Sequence, residues 1–393
     1  MTESDREYNI DWDKLKNGLP PEAIQEILGE ILDSENVEAV QNLQSESLEL
    51  RSQAIERLFD TAYHQGTLME PAFIITLIFI RQLQDESESV LIEDILLCLA
   101  YFISGISFLD YAIMVDSFMN PDLEMPETPD PRNATLPEDR LIYEAIERSI
   151  EIFLDFLTHS SPDVRVAAIY LLSCCRSEKE NIYDRVNTLF YREIDEMVKV
   201  TVFFYFAVVS RFTVVDVELI ERIANSGESD IIKLSAAIAL AYISGTTISE
   251  KNIDILIDLL EKPNLLTKLI EHYDYPMSSA HHLIIIDFFG NLSDRHLSKV
   301  LPSLIEANQA EYSIDYFSEI LIFKTRKDAI GKTYQQLTES QKLLLRISAQ
   351  DESLFNERSY ICKILNLESR GLTEQQMKEK ILNFIGQDIP ISS

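Results

Sequence analysis

Three cations recur at one interval: Arg165, Lys199 and Lys233 are separated by 34 residues and by 34 again. Each lies between two apolar residues, in Val164-Arg165-Val166, Val198-Lys199-Val200 and Ile232-Lys233-Leu234, and apolar or small residues follow at helical spacing. A helix-turn-helix unit needs about this length, so the step restricts the chain to a series of similar helical hairpins. Upstream, Leu50, Arg51, Ala54, Ile55 and Leu58 stand in the same register as Val164, Arg165, Ala168, Ile169 and Leu172. Leu240 to Gly245, LAYISG, nearly repeats the LAYFISG that ends at Gly105, and a glycine after the last small residues suits a left-handed C-terminal cap in both places.

The stretch Ser161 to Leu172, SPDVRVAAIYLL, shows what one unit contains. Ser161 is placed to accept a backbone N–H as N-cap, Pro162 suits the first helical position, and Asp163 complements the positive helix end. Val164, Ala167, Ala168, Leu171 and Leu172 then fall three and four apart, the alanines allowing close approach of a neighbour. Arg165 reads as a cation whose stem packs along the helix while its head meets an acid or the turn of an adjacent repeat. Before it, Ile146, Ile150, Phe153, Leu154 and Leu157 form another helical stripe, broken at His159-Ser160.

This helix pair, with an aspartate near the turn and a V-R-x-x-A core opening the second helix, resembles the HEAT repeat of the armadillo-like helical-repeat group. The resemblance spans roughly Val37 to Phe323 and is specific at Leu48 to Leu58 and Ile146 to Ser244. It implies an all-α fold, an α-solenoid of antiparallel helix pairs with the second helices lining a concave side. Arg51, Asp163, Arg165, Lys199 and Lys233 are then expected to form a structural ladder between repeats.

The charge is the most informative global number: 34 Lys and Arg against 66 Asp and Glu leave a net −32. Such a surface repels nucleic acid and anionic membranes and accelerates encounter with a basic protein, though acidity also serves solubility alone. At 46% hydrophobic residues a large core is available, and ten glycines and thirteen prolines are few enough to favour helices over a turn-rich β fold. Cys98, Cys174, Cys175 and Cys362 form no C-x-x-C pair, which points to a reducing cytoplasm. The N-terminus lacks the features of a secretory signal, and the longest apolar run, Pro71 to Ile80, falls short of the roughly 20 residues that cross a bilayer.

Three regions break the repeat. Residues 1–19 read as an N-terminal tail anchored by Ile10, Trp12 and Leu15. Within the solenoid, 20–323, a Pro-rich acidic insertion covers 120–138 and a second irregular insertion 262–276, delaying the next helix to about Met277. Ile106 to Met119, just before the first insertion, has the look of a helix. Ordinary helix-pair connections are shorter than the first insertion, so Asp122, Glu124, Glu127 and Asp130 are its candidate partner-binding residues, a mobile connector being the plainer reading. Residues 324–393 read as a helical C-terminal cap or small module, with helices near Thr333 to Ala349, Ser353 to Leu365 and Glu374 to Phe384. Thr373 and Gln376 have the spacing of a capping box.

No motif names a reaction. Gly331-Lys332-Thr333 lacks the first glycine and the strand of a phosphate-binding loop, and H-E-x-x-H, G-x-S-x-G and S-x-x-K do not occur. His281 and His282 point about 100° apart on a helix, so a metal site with His272 and Asp274 would need outside ligands. Asp287, in LIIIDFFG, reads as a buried acid that answers a cation of the next repeat. Lys324, Arg326 and Lys327 make one local basic cluster without interleaved aromatics. No catalytic, cofactor or metal site is expected, and neither nucleic acid nor membrane as partner.

The expectation is therefore a non-enzymatic scaffold or inhibitor that binds a basic protein along its concave face, acidic repeat proteins that neutralise toxins being the analogy. The alternative is an enzyme on the same scaffold. HEAT-like solenoids include bilin lyases and alkylbase DNA glycosylases; a reactive Cys174 or Cys175 would favour the first, whereas the second implies a basic, aromatic groove that this chain lacks.

Overall fold

A computed structural model describes residues 32–64, 67–104, 106–107, 137–277, 289–307, 332–350, 362 and 372–386. Among them are sixteen α-helices, short 3-10 turns and three strands of two residues each, so the fold is all-α in substance. Two compact units divide the chain, Met1–Tyr191 and Arg192–Ser393. No described helix is long and apolar enough to cross a membrane.

In the first unit, α1 (Ser34–Asn42) and α2 (Leu48–Ala62) each start at a side-chain cap. Asp33 accepts the Asn36 N–H at 2.9 Å and Ser47 accepts the Leu50 N–H at 3.4 Å, satisfying donors that the first turn leaves open. Helices α3 (Ala72–Asp85) and α4 (Ser89–Ser104) form the next pair. Between α2 and α3, strand β1 (Tyr63–His64) pairs antiparallel with β2 (Thr67–Leu68), and β2 pairs in parallel with β3 (Ile106–Ser107). The expected helix from Ile106 thus opens as a strand, because β2 supplies its first two residues with a ladder. The rest of that stretch lies outside the described residues.

Helix α5 (Pro137–Arg148) begins at proline, which cuts the acidic insertion short of the expected residue 138. Ser149 interrupts the helical run, its N–H bonding Ile146 at 2.9 Å in 3-10 fashion, before α6 (Ile150–Asp155) and a 3-10 turn (Phe156–Thr158) complete the stripe. Ile146, Ile150, Phe153, Leu154 and Leu157 are all buried. Helix α7 (Pro162–Cys174) follows and packs along α4, and α8 (Lys179–Arg192) ends at the unit boundary. Ser161 occupies the N-cap position with extended backbone, but its side chain makes no cap bond. Pro162 has already removed one donor from the first turn, and the Ser161 N–H turns back to His159 Nδ1 at 3.1 Å.

The second unit contains α9 (Glu196–Val209), α10 (Val217–Ala224), α11 (Asp230–Ser244), α12 (Glu250–Leu260), α13 (Leu265–Met277), α14 (Asp294–Ala307), α15 (Glu339–Gln350) and α16 (Glu374–Gly386). Helix α11 touches α9, α10, α12 and α13. Helix α13 occupies the expected second insertion, 262–276, which is therefore not irregular. Pro263 falls before the helix and Pro276 in its last turn, while Leu266, Leu269 and Ile270 bury one face. Gly245 closes α11 with φ +50, as a glycine should, but its ψ of −122 lies outside the left-handed helical region. Gly105 is not among the described residues.

The enclosed helices α7, α9 and α11 explain the repeated pattern. Val166 to Ser173, Val200 to Ala207 and Leu234 to Tyr242 are buried without interruption. Arg165, Lys199 and Lys233 are in each case the half-buried residue between buried neighbours on both sides. The cation marks the turn where an otherwise sealed helix reaches water. These helices leave no open flank for a partner, contrary to the lining role that the resemblance implied. Exposed acids sit instead on the amphipathic helices between them: Glu180 and Asp184 on α8, Glu218 and Glu221 on α10, Asp254 and Asp258 on α12.

At the C-terminal end, the helix expected from Thr333 is split into a 3-10 turn (Tyr334–Gln336) and α15. Each part starts with its own capping box, Thr333 with Gln336 and Thr338 with Gln341. The box expected at Thr373 and Gln376 is present: the Thr373 N–H donates to Gln376 Oε1 at 2.8 Å, and the Gln376 N–H to Thr373 Oγ1 at 3.4 Å. The helix expected over Ser353 to Leu365 is outside the described residues except at Cys362.

Candidate functional site

The ladder cations bind both the turns of their own helices and acids in turns further along the chain. Arg165 donates through Nη1 to the carbonyls of His159 and Ser160, at 2.7 and 3.1 Å, tying down the turn that precedes its own helix. Arg51 does the same six residues back, to Ser45 O at 2.8 Å, and also meets Glu86 at 3.3 Å. Lys199 pairs with Glu228 at 3.5 Å. Asp230 receives both Lys233 and Lys262, at 2.7 and 2.6 Å, and these hydrogen bonds hold its carboxyl below the usual range. Asp163 is exposed in the first turn of α7.

Some polar contacts between helices fall near the sequence step: Asn181 reaches Glu151 over 30 residues, Asn252 reaches Glu221 over 31, Lys262 reaches Asp230 over 32 and Ser235 reaches Val200 O over 35. Others are far from it, such as Arg57 to Asn36 over 21 and His272 to Thr201 over 71.

A groove of about 670 Å³ opens in the first unit, between α5–α6 and the turn joining α7 to α8. Glu144, Glu147, Glu151 and Glu178 line it with Arg148 and Arg176. The first three glutamates fall three and four apart, so α5 and α6 carry them on one continuous face despite the break at Ser149. Glu147 is the structural member. One of its oxygens accepts the Arg176 N–H at 2.6 Å, the other accepts the Ser177 N–H at 2.8 Å, and the Ser177 hydroxyl also donates to it. It thereby fixes a turn in which Glu178 has φ +51. Glu144, Glu151 and Glu178 are exposed, leaving their charge free to act on whatever enters. The sequence reading passed over this groove, although the Glu144, Glu147, Glu151 spacing was there to be read.

The other candidates divide plainly. Asp122, Glu124, Glu127 and Asp130 lie outside the described residues, as do His281, His282, Asp287 and the Lys324, Arg326, Lys327 cluster. His272 contacts Thr201 Oγ1 through Nε2 at 2.8 Å, and burial lowers it to about 4. Thr201 itself donates to Met197 O at 2.9 Å, so its hydroxyl oxygen accepts from the His272 Nε2–H. Among the described residues no group of three or more His, Cys, Asp or Glu could hold a metal ion. Burial pushes the thiols of Cys98, Cys174 and Cys175 up, and that of Cys362 to about 11. At neutral pH these are thiols, not thiolates, which disfavours a nucleophilic Cys174 or Cys175.

No protein-family model and no curated protein matches this chain. A solved structure, the crystal structure of an engineered protein, covers 91% of this chain and 100% of its own at 13% sequence identity, with a TM-score of 0.28. A likeness at that level bears on neither fold nor function.

Proposed function

We propose that the protein is a non-enzymatic helical-repeat scaffold or inhibitor of the HEAT-like kind, which captures a basic protein through acidic outer surfaces. The observation that carries this reading is the groove between α5–α6 and the α7–α8 turn, where Glu144, Glu151 and Glu178 stay exposed while Glu147 holds the wall. Exposed acids on α8, α10 and α12 extend the same negative character, within a net charge of −32. The repeat reading is supported by the 34-residue step of Arg165, Lys199 and Lys233 and by the uninterrupted buried runs of α7, α9 and α11. The partner surface it favours is the amphipathic helices and the turns, since α7, α9 and α11 are closed.

Long-range attraction of this kind weakens as salt shortens the Debye length. The test is a pull-down at low and at high salt, with Glu144, Glu151 and Glu178 each changed to Gln in one variant and residues 120–138 replaced by a neutral linker in another. A stoichiometric basic partner, retained at low salt and lost in the glutamine variant, is the expected result. Loss only in the linker variant would move the contact to the Asp122–Asp130 segment. A partner indifferent to salt and to both changes would sink the electrostatic reading.

A further inference from the structure

The last turns of α2 and α4 meet at a cluster of aromatic rings. Phe59 of α2 stacks with Tyr63, whose N–H closes that helix on Phe59 O, their ring centroids lying 5.4 Å apart. Tyr101 of α4 stands 5.3 Å from each of them. All three are half-buried, so part of each side chain reaches the solvent. Beneath them lie two buried rings, Phe102 at 5.9 Å from Phe59 and Phe79 at 6.0 Å from Phe102, which seat the outer three on the packed core. The short sheet pairs Tyr63 with Leu68, and the Met69 N–H then donates to Ala62 O at 2.9 Å, which brings Met69 to the same end of α2. Met69 is 43% exposed.

The rim of this patch is negative. Asp60, next to Phe59, and Glu70, next to Met69, are both exposed, and neither makes a hydrogen bond or ion pair among the described residues. The ends of α2 and α4 add the partial negative charge of their last carbonyls, and neither helix has a basic residue in its last turn. The two arginines of α2 are committed elsewhere, Arg57 to Glu35 and Arg51 to Glu86. Aromatic rings and methionine are the side chains that interface cores favour, and carboxylates beside them select a cation. Guanidinium suits such a surface better than ammonium, because a planar cation stacks on a ring while its edge donates to carboxylates. We propose that this patch is a second contact for the basic partner, taking an arginine side chain onto Phe59, Tyr63 and Tyr101 with Asp60 and Glu70 as its acceptors. The inference rests on the reading of a basic partner and adds to it the type of side chain recognised, at a site separate from the glutamate groove.

The probes are hexa-arginine and hexa-lysine peptides, acetylated and amidated so that their charges are equal, titrated calorimetrically into the whole chain at physiological ionic strength. Equal charge cancels the attraction that a net −32 exerts on any polycation and leaves the difference between the two side chains. Hexa-arginine is expected to bind about three- to tenfold more tightly. That preference should collapse in Tyr101→Leu and in Tyr63→Leu, and survive when Glu144, Glu151 and Glu178 are changed to Gln. Local amide exchange across α2 and α4 checks that the leucine variants keep their fold. If they do not, Asp60→Asn combined with Glu70→Gln, both at exposed positions, takes their place and should weaken hexa-arginine about two- to fivefold with the rings intact. A preference that persists in folded leucine variants, or that is lost in the groove variant, overturns the arginine patch and leaves the basic-partner reading standing. Equal affinity of the two peptides for the wild type, or hexa-arginine binding unchanged by Asp60→Asn with Glu70→Gln, overturns the patch as well. Binding of neither peptide would sink both readings together.

Discussion

Replacing Glu147 by alanine separates a structural role from a binding one within the same groove. The side chain accepts the Arg176 and Ser177 N–H groups and the Ser177 hydroxyl, and it is half-buried. A hydrogen bond to a charged group contributes about 1.5–3 kcal/mol, and water can replace part of three such bonds at a half-exposed site. The net loss should therefore be about 2–3 kcal/mol, concentrated in the α7–α8 turn, where Glu178 already has positive φ. A chain of two compact units is a poor subject for two-state denaturation, so the useful assay is again local amide exchange. Exchange at Arg176 and Ser177 should accelerate roughly 30- to 150-fold in Glu147→Ala, each 1.36 kcal/mol being a factor of ten. Glu144→Ala and Glu151→Ala, both at exposed positions, should leave those amides within a few-fold of wild type. Unchanged exchange in Glu147→Ala, or equal acceleration in all three, would refute the division of labour argued for the groove.

Other outcomes follow from single features. Gly245→Ala should cost about 2 kcal/mol, read as roughly 30-fold faster amide exchange at the end of α11, because φ is +50 and the added Cβ would stand 3.0 Å from the Asn291 carbonyl oxygen; a neutral effect would contradict that backbone conformation. In native protein near neutral pH, Cys98, Cys174, Cys175 and Cys362 should alkylate slowly and then react fully on denaturation; rapid stoichiometric labelling of Cys174 or Cys175 would revive the lyase alternative. His272 is depressed to about 4 from 6.5, chiefly by burial, so the unfolded state binds its proton first and stability is lost as pH falls through that interval. His272→Gln should lose less stability than the wild type on acidification, and an identical acid profile would count against a buried neutral imidazole.

The 34-residue step was legible because its cause is local: a helix buried all round needs apolar residues on every side, and the half-buried cation that ends each buried run is hard to miss at a fixed interval. Had the step been followed once more, Thr267-Lys268-Leu269 would have continued it at 35 residues from Lys233, and α13 would have been recognised. The groove was harder, since its acids come from α5, α6 and the turn before α8, and nothing in the sequence says that 144–151 and 176–178 meet. The capping boxes show the opposite case, in which spacing alone determines the contact, and two of three went unnoticed only because Thr333 and Thr338 lie so close together.

The enclosure of α9 has a cost before the fold exists. Val200 to Val209, VTVFFYFAVV, is ten residues of β-branched, aromatic and small apolar side chains without a charge, proline or glycine. Such a segment favours intermolecular cross-β pairing whenever it is exposed. It leaves the ribosome ahead of α11, which must cover it, so the nascent chain passes through a period in which its stickiest segment is bare. Lys199 and Arg211 stand at its two ends, where flanking charges discourage self-association. Lys199, one of the cations that recur at the 34-residue step, thus doubles as a guard during synthesis, and a fragment truncated shortly after Arg211 should be found in inclusion bodies while the whole chain stays in solution.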